Sequence, residues 1–124
     1  MTISTSKYAA YLKTARRRAQ TATTRYANAK RREQAWEVAR RAATFIKERY
    51  PAARVRAFGS LLYPDSFKEK SDIDLAIEGI EWRDYLRIWG ELDKREQDFA
   101  IDLFDVGIIS KKLREHIERE GVPL

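Results

Sequence analysis

A small turn and three acidic residues constrain the fold of this chain most strongly. The pair Gly59-Ser60 is followed, twelve residues after the serine, by Asp72-Ile73-Asp74, and a third acid, Asp102, lies in a later strand-like run. Residues two apart on a strand point to the same face, so Asp72 and Asp74 face one way while the apolar residues that alternate with them face the other. We therefore expect neighbouring strands that present carboxylates on one wall.

These carboxylates predict a metal site. Mg²⁺ takes oxygen ligands and commonly bridges one or two carboxylates to substrate phosphates, and two such ions can stabilise both the attacking and the leaving oxygen of an in-line displacement. We predict Asp72, Asp74 and Asp102 as ligands of two Mg²⁺ ions, with Mn²⁺ as a possible substitute. A lone Asp-x-Asp is also typical of a solvated turn, and Asp102 alone could be a surface carboxylate, so the prediction rests on all three elements together.

The order of these elements resembles the minimal nucleotidyltransferases of the DNA polymerase beta superfamily. Those proteins carry a Gly-Ser, then an Asp-x-Asp, and a third Asp on a later strand. The matching segments here are AFGSLLYPDSFKEKSDIDLAIEG and FAIDLFDV, and the resemblance covers residues 35–124. It implies a nucleotidyltransferase fold, ATP as the substrate, and Asp72, Asp74 and Asp102 as the catalytic residues, with the third acid helping to activate the attacking hydroxyl.

The turn and the loop after it are the predicted phosphate-binding segment. Gly59 allows close backbone approach, and Ser60 with the N-terminus of a following short helix can bind a triphosphate. We also assign Ser71, Lys68 and Lys70 to phosphate binding, the lysines from a loop that we expect to be mobile. The family often has an arginine soon after Gly-Ser, whereas here Ser60 is followed by two leucines and a tyrosine.

The first fifty residues differ in charge and composition from the rest. Residues 6–49 contain no glycine or proline and are rich in alanine and arginine, which favours a helix, and Pro51 stops it. Residues 1–50 hold 13 Lys/Arg against 3 Asp/Glu, a net charge of +10, whereas residues 51–124 hold 12 against 16, a net charge of −4. Such a basic segment suggests a polyanionic or an acidic protein partner, or an ordinary solvated face.

Apolar residues recur along this predicted helix in steps of four and three, which is a heptad-like seam. The seam consists of Tyr8, Leu12, Ala15, Ala19, Ala22, Tyr26 and Ala29. We expect it to continue into a deeper apolar face from Ala35 to Tyr50. The predicted domains are accordingly a basic helical extension, residues 1–34, and a nucleotidyltransferase domain, residues 35–124.

The remaining segments predict an α/β (α+β) fold, a small mixed sheet of about three strands flanked by helices. We expect strands at residues 54–58, 72–78 and 99–106. A helix is expected over residues 82–95, whose aromatic residues favour core packing over a base-stacking platform. A last helix follows Ser110, a suitable N-cap, and ends before Gly121.

Composition excludes several classes of protein. The 124 residues suffice for one modest core. No run is long and apolar enough for a membrane helix, and no signal-like stretch begins the chain, so we expect a cytoplasmic protein without a membrane partner. The chain has no cysteine, which excludes disulfides and thiolate metal sites.

The resemblance also implies partners. Stand-alone members are commonly paired with a small helical HEPN-type toxin, and act as the antitoxin by transferring AMP from ATP to a tyrosine of that toxin. The leading hypothesis is therefore a protein adenylyltransferase. Its alternative is a catalytically weak module that neutralises a partner by occlusion. Binding of nucleic acid by the arginine-rich helix and modification of aminoglycosides are less favoured, and a homo-oligomer through the N-terminal helix stays open.

Overall fold

The computed structural model describes the backbone of residues 2–124 and the side chains of residues 9–124. Tyr8, the first residue of the predicted seam, therefore lies outside the described side chains. The elements in chain order are α1 (Thr2–Arg49), β1 (Arg54–Phe58), a 3-10 turn (Gly59–Leu62), β2 (Ile73–Glu78), α2 (Trp82–Arg95), β3 (Ile101–Asp105), α3 (Lys111–Glu120) and β4 (Val122–Pro123).

The strands form one mixed sheet in the order β3-β2-β1-β4. Strand β1 runs antiparallel to both β2 and β4, and β2 runs parallel to β3. The predicted fold class is thus confirmed. The sheet has one strand more than the sequence indicated, because β4 contains only two residues and is too short to show an alternating pattern.

The sheet has a core on each face. On one face, α1 and α2 pack against the alternating apolar residues of the three longer strands, with Ile46, Leu75 and Leu103 among the buried side chains. On the other face, α3 places Ile117 against Phe58 and Ala76. As predicted, Ser110 caps α3, its hydroxyl accepting a hydrogen bond from the Leu113 amide at 3.2 Å.

Helix α1 divides into a packed half and an exposed half. Its buried side chains lie between Ala35 and Ile46, whereas every side chain of residues 9–27, hereafter the arm, is exposed. Ala35 lies nine positions after Tyr26, which is about 2.5 turns at 3.6 residues per turn. The half turn places the two residues on opposite sides of the helix. The seam therefore lies on the opposite side of the helix from the buried face, and the expectation that the two form one continuous stripe is wrong.

Helix α2 is less buried than its aromatic residues suggested. Tyr85 and Leu92 are core residues, but Trp82, Leu86 and Trp89 remain about half exposed. The two tryptophans stack on either side of Tyr85, with ring centroids 5.1 and 6.5 Å away. The prediction that the aromatic residues of this helix lie in the core is therefore wrong for the two tryptophans, because helical spacing identifies a shared side of the helix but not whether another element covers it.

No helix in the described part of the chain combines the length and the apolarity needed to cross a membrane.

A truncation series tests where the folded domain begins. Removing residues 1–27 deletes only exposed side chains from the described part, so we expect a folded protein whose melting temperature is nearly unchanged. Removing residues 1–34 also deletes Arg31 and Arg32, which together donate four hydrogen bonds to other segments. At about 1 kcal/mol each, their loss should lower the free energy of unfolding by about 2–4 kcal/mol. Thermal and chemical denaturation followed by circular dichroism measure these two quantities. Equal stability of the two truncations would contradict the stabilising role of Arg31 and Arg32.

Candidate active site

The sheet pairing brings the predicted acids to one edge of the sheet. Asp74 on β2 is the register partner of Asp102 on β3, and on its other side it faces Phe58 at the end of β1. Asp72 immediately precedes β2. Asp72 and Asp102 are exposed, while Asp74 is half-buried between its neighbours. The predicted shared wall for Asp74 and Asp102 is therefore present.

The electrostatics of Asp74 reflect this crowding. Burial, followed by the negative charges of Asp102 and Asp72, raises the pKa of the Asp74 carboxyl to about 6. Desolvation and nearby like charges both disfavour the ionised form of a carboxyl group. A cation at this edge would offset both effects, because an opposite charge stabilises the carboxylate.

The Gly59-Ser60 turn fits closely against these acids. Gly59 has a positive φ of 77°, a conformation that favours glycine. A Cβ added there would collide with Oδ2 of Asp74. The predicted short helix after the turn is a single 3-10 turn that already begins at Gly59, and Ser60 is half-exposed at its start. The absence of a side chain at position 59 is therefore what allows the turn and the Asp74 carboxylate to touch.

The loop with the predicted phosphate-binding lysines is fastened to the domain. Lys68 and Lys70 are exposed, but Phe67 is fully buried in the core. The Ser71 hydroxyl accepts a hydrogen bond from the backbone N–H of Lys68 at 2.9 Å. In this structure Ser71 therefore shapes the loop. The two lysines face solvent, as does Glu69 between them.

Two arginines outside the predicted site hold the loops around the acids. Arg32 donates hydrogen bonds to the carbonyl oxygens of Leu61 and Leu62, at 2.8 and 3.2 Å. Arg31 donates to the carbonyl oxygens of Glu69 and Asp98, at 3.1 and 2.9 Å. These adjacent side chains connect α1 to the turn after β1, to the lysine loop and to the segment before β3. No sequence signal distinguishes them from the other arginines of α1.

Tyr85 is a third residue that contacts this region. Its hydroxyl donates a hydrogen bond of 2.6 Å to the carbonyl oxygen of Leu103, next to Asp102. Burial and the charges of Asp102 and Asp105 raise the pKa of the Tyr85 hydroxyl, so it stays protonated and able to donate. Because β3 is the edge strand of the sheet, this bond fastens the strand that carries Asp102.

The acids lie on an open surface. A depression of about 410 Å³ is found instead where α1 meets α2, lined by Phe45, Leu86, Arg49 and Lys94 among others. None of the three acids lines it. The exposure of Asp72 and Asp102 leaves this edge of the sheet accessible to a large molecule.

The residues at this edge fit a divalent cation by donor chemistry and charge. Carboxylate oxygens are the ligands that Mg²⁺ prefers, and the charges of Asp102 and Asp72 add to burial in raising the pKa of Asp74. In the described part of the chain, no three acidic or histidine side chains are already close enough together to enclose an ion. Binding would therefore draw the mutually repelling carboxylates inward.

A mixed sheet with register-paired acids beside a Gly-Ser turn is the arrangement of a nucleotidyltransferase. The family model for the nucleotidyltransferase domain matches residues 39–122. The chain therefore belongs to this family, and the resemblance predicted from the motifs is confirmed. The arm lies outside the matched residues. No curated protein matches the chain.

Solved structures with a similar fold include two of toxin–antitoxin proteins. The structure of the toxin–antitoxin MntA-HepT matches with a TM-score of 0.52 and 17% identity, over 71% of this chain and 69% of that one. A structure of the toxin–antitoxin with AMP-PNP matches with a TM-score of 0.52 and 20% identity, over 64% of this chain and 66% of that one. At this level of identity the likeness establishes the fold.

The raised pKa of Asp74 makes a stability prediction with a definite sign. Above pH 6 the folded state holds an ionised, half-buried Asp74 beside two other anions, which lowers stability. The unfolded pKa is near 3.8. Between the two values the folded state binds more protons, so this penalty shrinks as the pH falls from 6 towards 4. We expect Asp74→Asn to raise the melting temperature by a few degrees at pH 7.5 without added metal, and to have little effect at pH 4.

The matched control for this prediction is Asp93→Asn, which removes an exposed acid of α2. Thermal melts of the three proteins across this pH range make the comparison. Destabilisation by Asp74→Asn at pH 7.5 would show that the carboxylate is a net stabilising group, contrary to the electrostatic account.

Proposed function

We propose that this protein transfers AMP from ATP to a hydroxyl group of a partner protein, and that the acceptor is a tyrosine of a small helical toxin of the HEPN type. The protein would then act as the antitoxin. The observation that carries the proposal is the register pairing of Asp74 with Asp102 beside the Gly59-Ser60 turn, in a chain of the nucleotidyltransferase family. The toxin–antitoxin structures with a similar fold support a protein partner, and the one with AMP-PNP supports an adenine nucleotide.

In the proposed reaction the acceptor oxygen forms a bond to the α-phosphorus of ATP. The bond from that phosphorus to the β-phosphate oxygen breaks, pyrophosphate leaves, and the hydroxyl proton is lost. Gly59 and Ser60 would receive the triphosphate at the turn, and Lys68 and Lys70 would add positive charge from the loop. Asp102 is exposed at the sheet edge, where it would orient the acceptor hydroxyl and assist the removal of its proton.

Asp72, Asp74 and Asp102 would hold the divalent ions, whose chemistry here is to neutralise the triphosphate and the departing pyrophosphate. The protein's own contribution would be to keep the strands and loops that carry these carboxylates rigidly in place before the ions arrive and draw the side chains inward. The β2–β3 pairing and the bonds from Arg31, Arg32 and Tyr85 supply that rigidity.

The accessibility of the site supports a macromolecular acceptor. Asp72 and Asp102 both face solvent, and the lysine loop beside them is exposed apart from its buried Phe67 anchor. An open edge of this kind admits a tyrosine on the surface of a folded protein, whereas a small acceptor is usually enclosed in a pocket.

A second candidate function is neutralisation of the partner by occlusion, with little turnover. Two observations favour it. Leu61, which follows the Gly-Ser pair where the family often has an arginine, is fully buried in the core and cannot contact phosphate. The carboxylates are also not pre-assembled into a three-ligand group within the described residues.

The substitution Asp102→Asn separates the two functions. It should reduce AMP transfer by orders of magnitude, because the loss of a metal ligand costs several kcal/mol of transition-state stabilisation. Affinity for the partner should stay nearly unchanged, since the side chain is replaced by one of the same size. Intact-mass spectrometry with the HEPN-type partner and ATP measures the reaction, and a pull-down measures binding.

The matched control is Asp105→Asn, on the same strand but on the other face by alternation. It should retain transfer. Equal neutralisation of the partner by wild type and Asp102→Asn, with no added AMP in either case, would contradict the enzyme hypothesis and favour the occluding module.

A further inference from the structure

The arm forms a cationic surface that no other described part of the chain neutralises. Lys13, Arg16, Arg17, Arg18 and Arg25 lie within residues 9–27, and the sequence has no acidic residue before Glu33. Among the described residues the ion pairs join Arg54 to Glu78 and Arg119 to Glu120, both outside the arm. At 1.5 Å per residue the arm is about 28 Å long.

The arm begins at the edge of the sheet that carries the acids. Arg31 and Arg32 contact the loops at this edge, whereas Lys47, near the other end of α1, donates to the carbonyl oxygen of Leu124. Leu124 in turn pairs with Val55 near the start of β1, at the opposite edge. Helix α1 therefore crosses the sheet, and its first half projects beyond the edge that carries Asp72, Asp74 and Asp102, hereafter the acid edge.

The charges of the arm are placed as in one strand of a coiled coil. The apolar positions of the seam occupy the a and d sites of three heptads: Leu12, Ala15, Ala19, Ala22, Tyr26 and Ala29. On this assignment Arg16 is an e position and Arg18 and Arg25 are g positions, the sites that flank a coiled-coil seam and choose the partner. Lys13 and Arg17 are b and f positions on the far side.

This pattern disfavours a second copy of the arm as the occupant. Pairing two arms through their seams would place cations opposite cations, because no e or g position of the three heptads is acidic. Phosphate of a nucleic acid would match the charge but gains little from a stripe of leucine, alanine and tyrosine. A helix with its own apolar seam and with glutamate or aspartate at its e and g positions complements both features.

We propose that the arm is a docking surface for an acidic amphipathic helix of a partner protein, which pairs with the seam and with Arg16, Arg18 and Arg25. The small alanines of the seam permit close approach of the partner backbone. The inference holds whether or not the site transfers a nucleotide. A partner docked in this way would lie next to the acid edge.

Fluorescence anisotropy with labelled synthetic peptides tests the proposal on the full chain. The acidic probe has four heptads with leucine at a and d and glutamate at e and g, so that it repels itself. The basic control probe carries lysine at e and g. We expect the acidic probe to bind the wild-type protein and the basic probe not to bind.

Two charge-reversal variants of the same arm provide the matched comparison. Arg16→Glu/Arg18→Glu should weaken binding of the acidic probe about tenfold or more, since two flanking attractions become repulsions. Lys13→Glu/Arg17→Glu changes the net charge equally but on the far side, and should alter affinity by less than about threefold. All four positions are exposed, and circular dichroism checks that the variants stay folded.

Each alternative occupant of the arm predicts a different experimental result. Equal weakening by both variants, together with tight binding of a 20-nucleotide single-stranded RNA, would overturn the proposal in favour of general electrostatic attraction to nucleic acid. Wild-type dimers in sedimentation that compete with the acidic probe would overturn it in favour of a second copy, and no binding of the acidic probe would overturn it outright. Thermal stabilisation by Mn²⁺ with ATP is measured on the same variants. It should persist in both, so that failure of the arm proposal is distinguishable from failure of the nucleotide site.

Discussion

The candidate site depends on the pairing of β2 with β3, which places negatively charged carboxylates side by side although they repel one another. Asp74 has Asp102 beside it in register, Asp72 two residues earlier, and the Gly59 backbone against its own carboxyl group. Burial of this carboxyl group, and after it the charges of Asp102 and Asp72, raise the pKa of Asp74 to about 6, a cost that folding alone has no reason to retain. It becomes useful when a divalent cation and a triphosphate bind, because the ion offsets the repulsion among the carboxylates.

The helix that covers the core also holds the site together. The buried face of α1 between Ala35 and Ile46 packs on the sheet, and one turn before it Arg31 and Arg32 bond to the carbonyl groups of the surrounding loops. The same continuous helix then extends past the acid edge as the arm. One element therefore stabilises the fold, fixes the loops and presents a charged surface, so that a partner held by the arm would lie close to the acids.

The sequence predicted the shared face of Asp74 and Asp102, the Gly59-Ser60 turn and the three longer strands well, because each depends on local rules. Alternation along β2 and β3 places Asp74 and Asp102 on one face, and only glycine suits the backbone at Gly59. The features that the sequence did not predict are those set by tertiary neighbours. Nothing local tells whether Trp82 and Trp89 are covered, why Arg32 rather than Arg25 reaches a loop, or that two residues before the chain end add a fourth strand.

The central claim is that the three acids form a charge-loaded site for a divalent cation, and the titration of Asp74 tests it most directly. In protein labelled with ¹³C at the aspartate side-chain carboxyl carbons, with Asp74→Asn used for assignment, carboxyl chemical shifts report ionisation as the pH is varied. The account predicts an Asp74 pKa near 6 without metal, and a fall to or below the ordinary value when Mg²⁺ is added, since the ion favours the charged form. An Asp74 pKa near 3.8 without metal, or one that Mg²⁺ leaves unchanged, would contradict it.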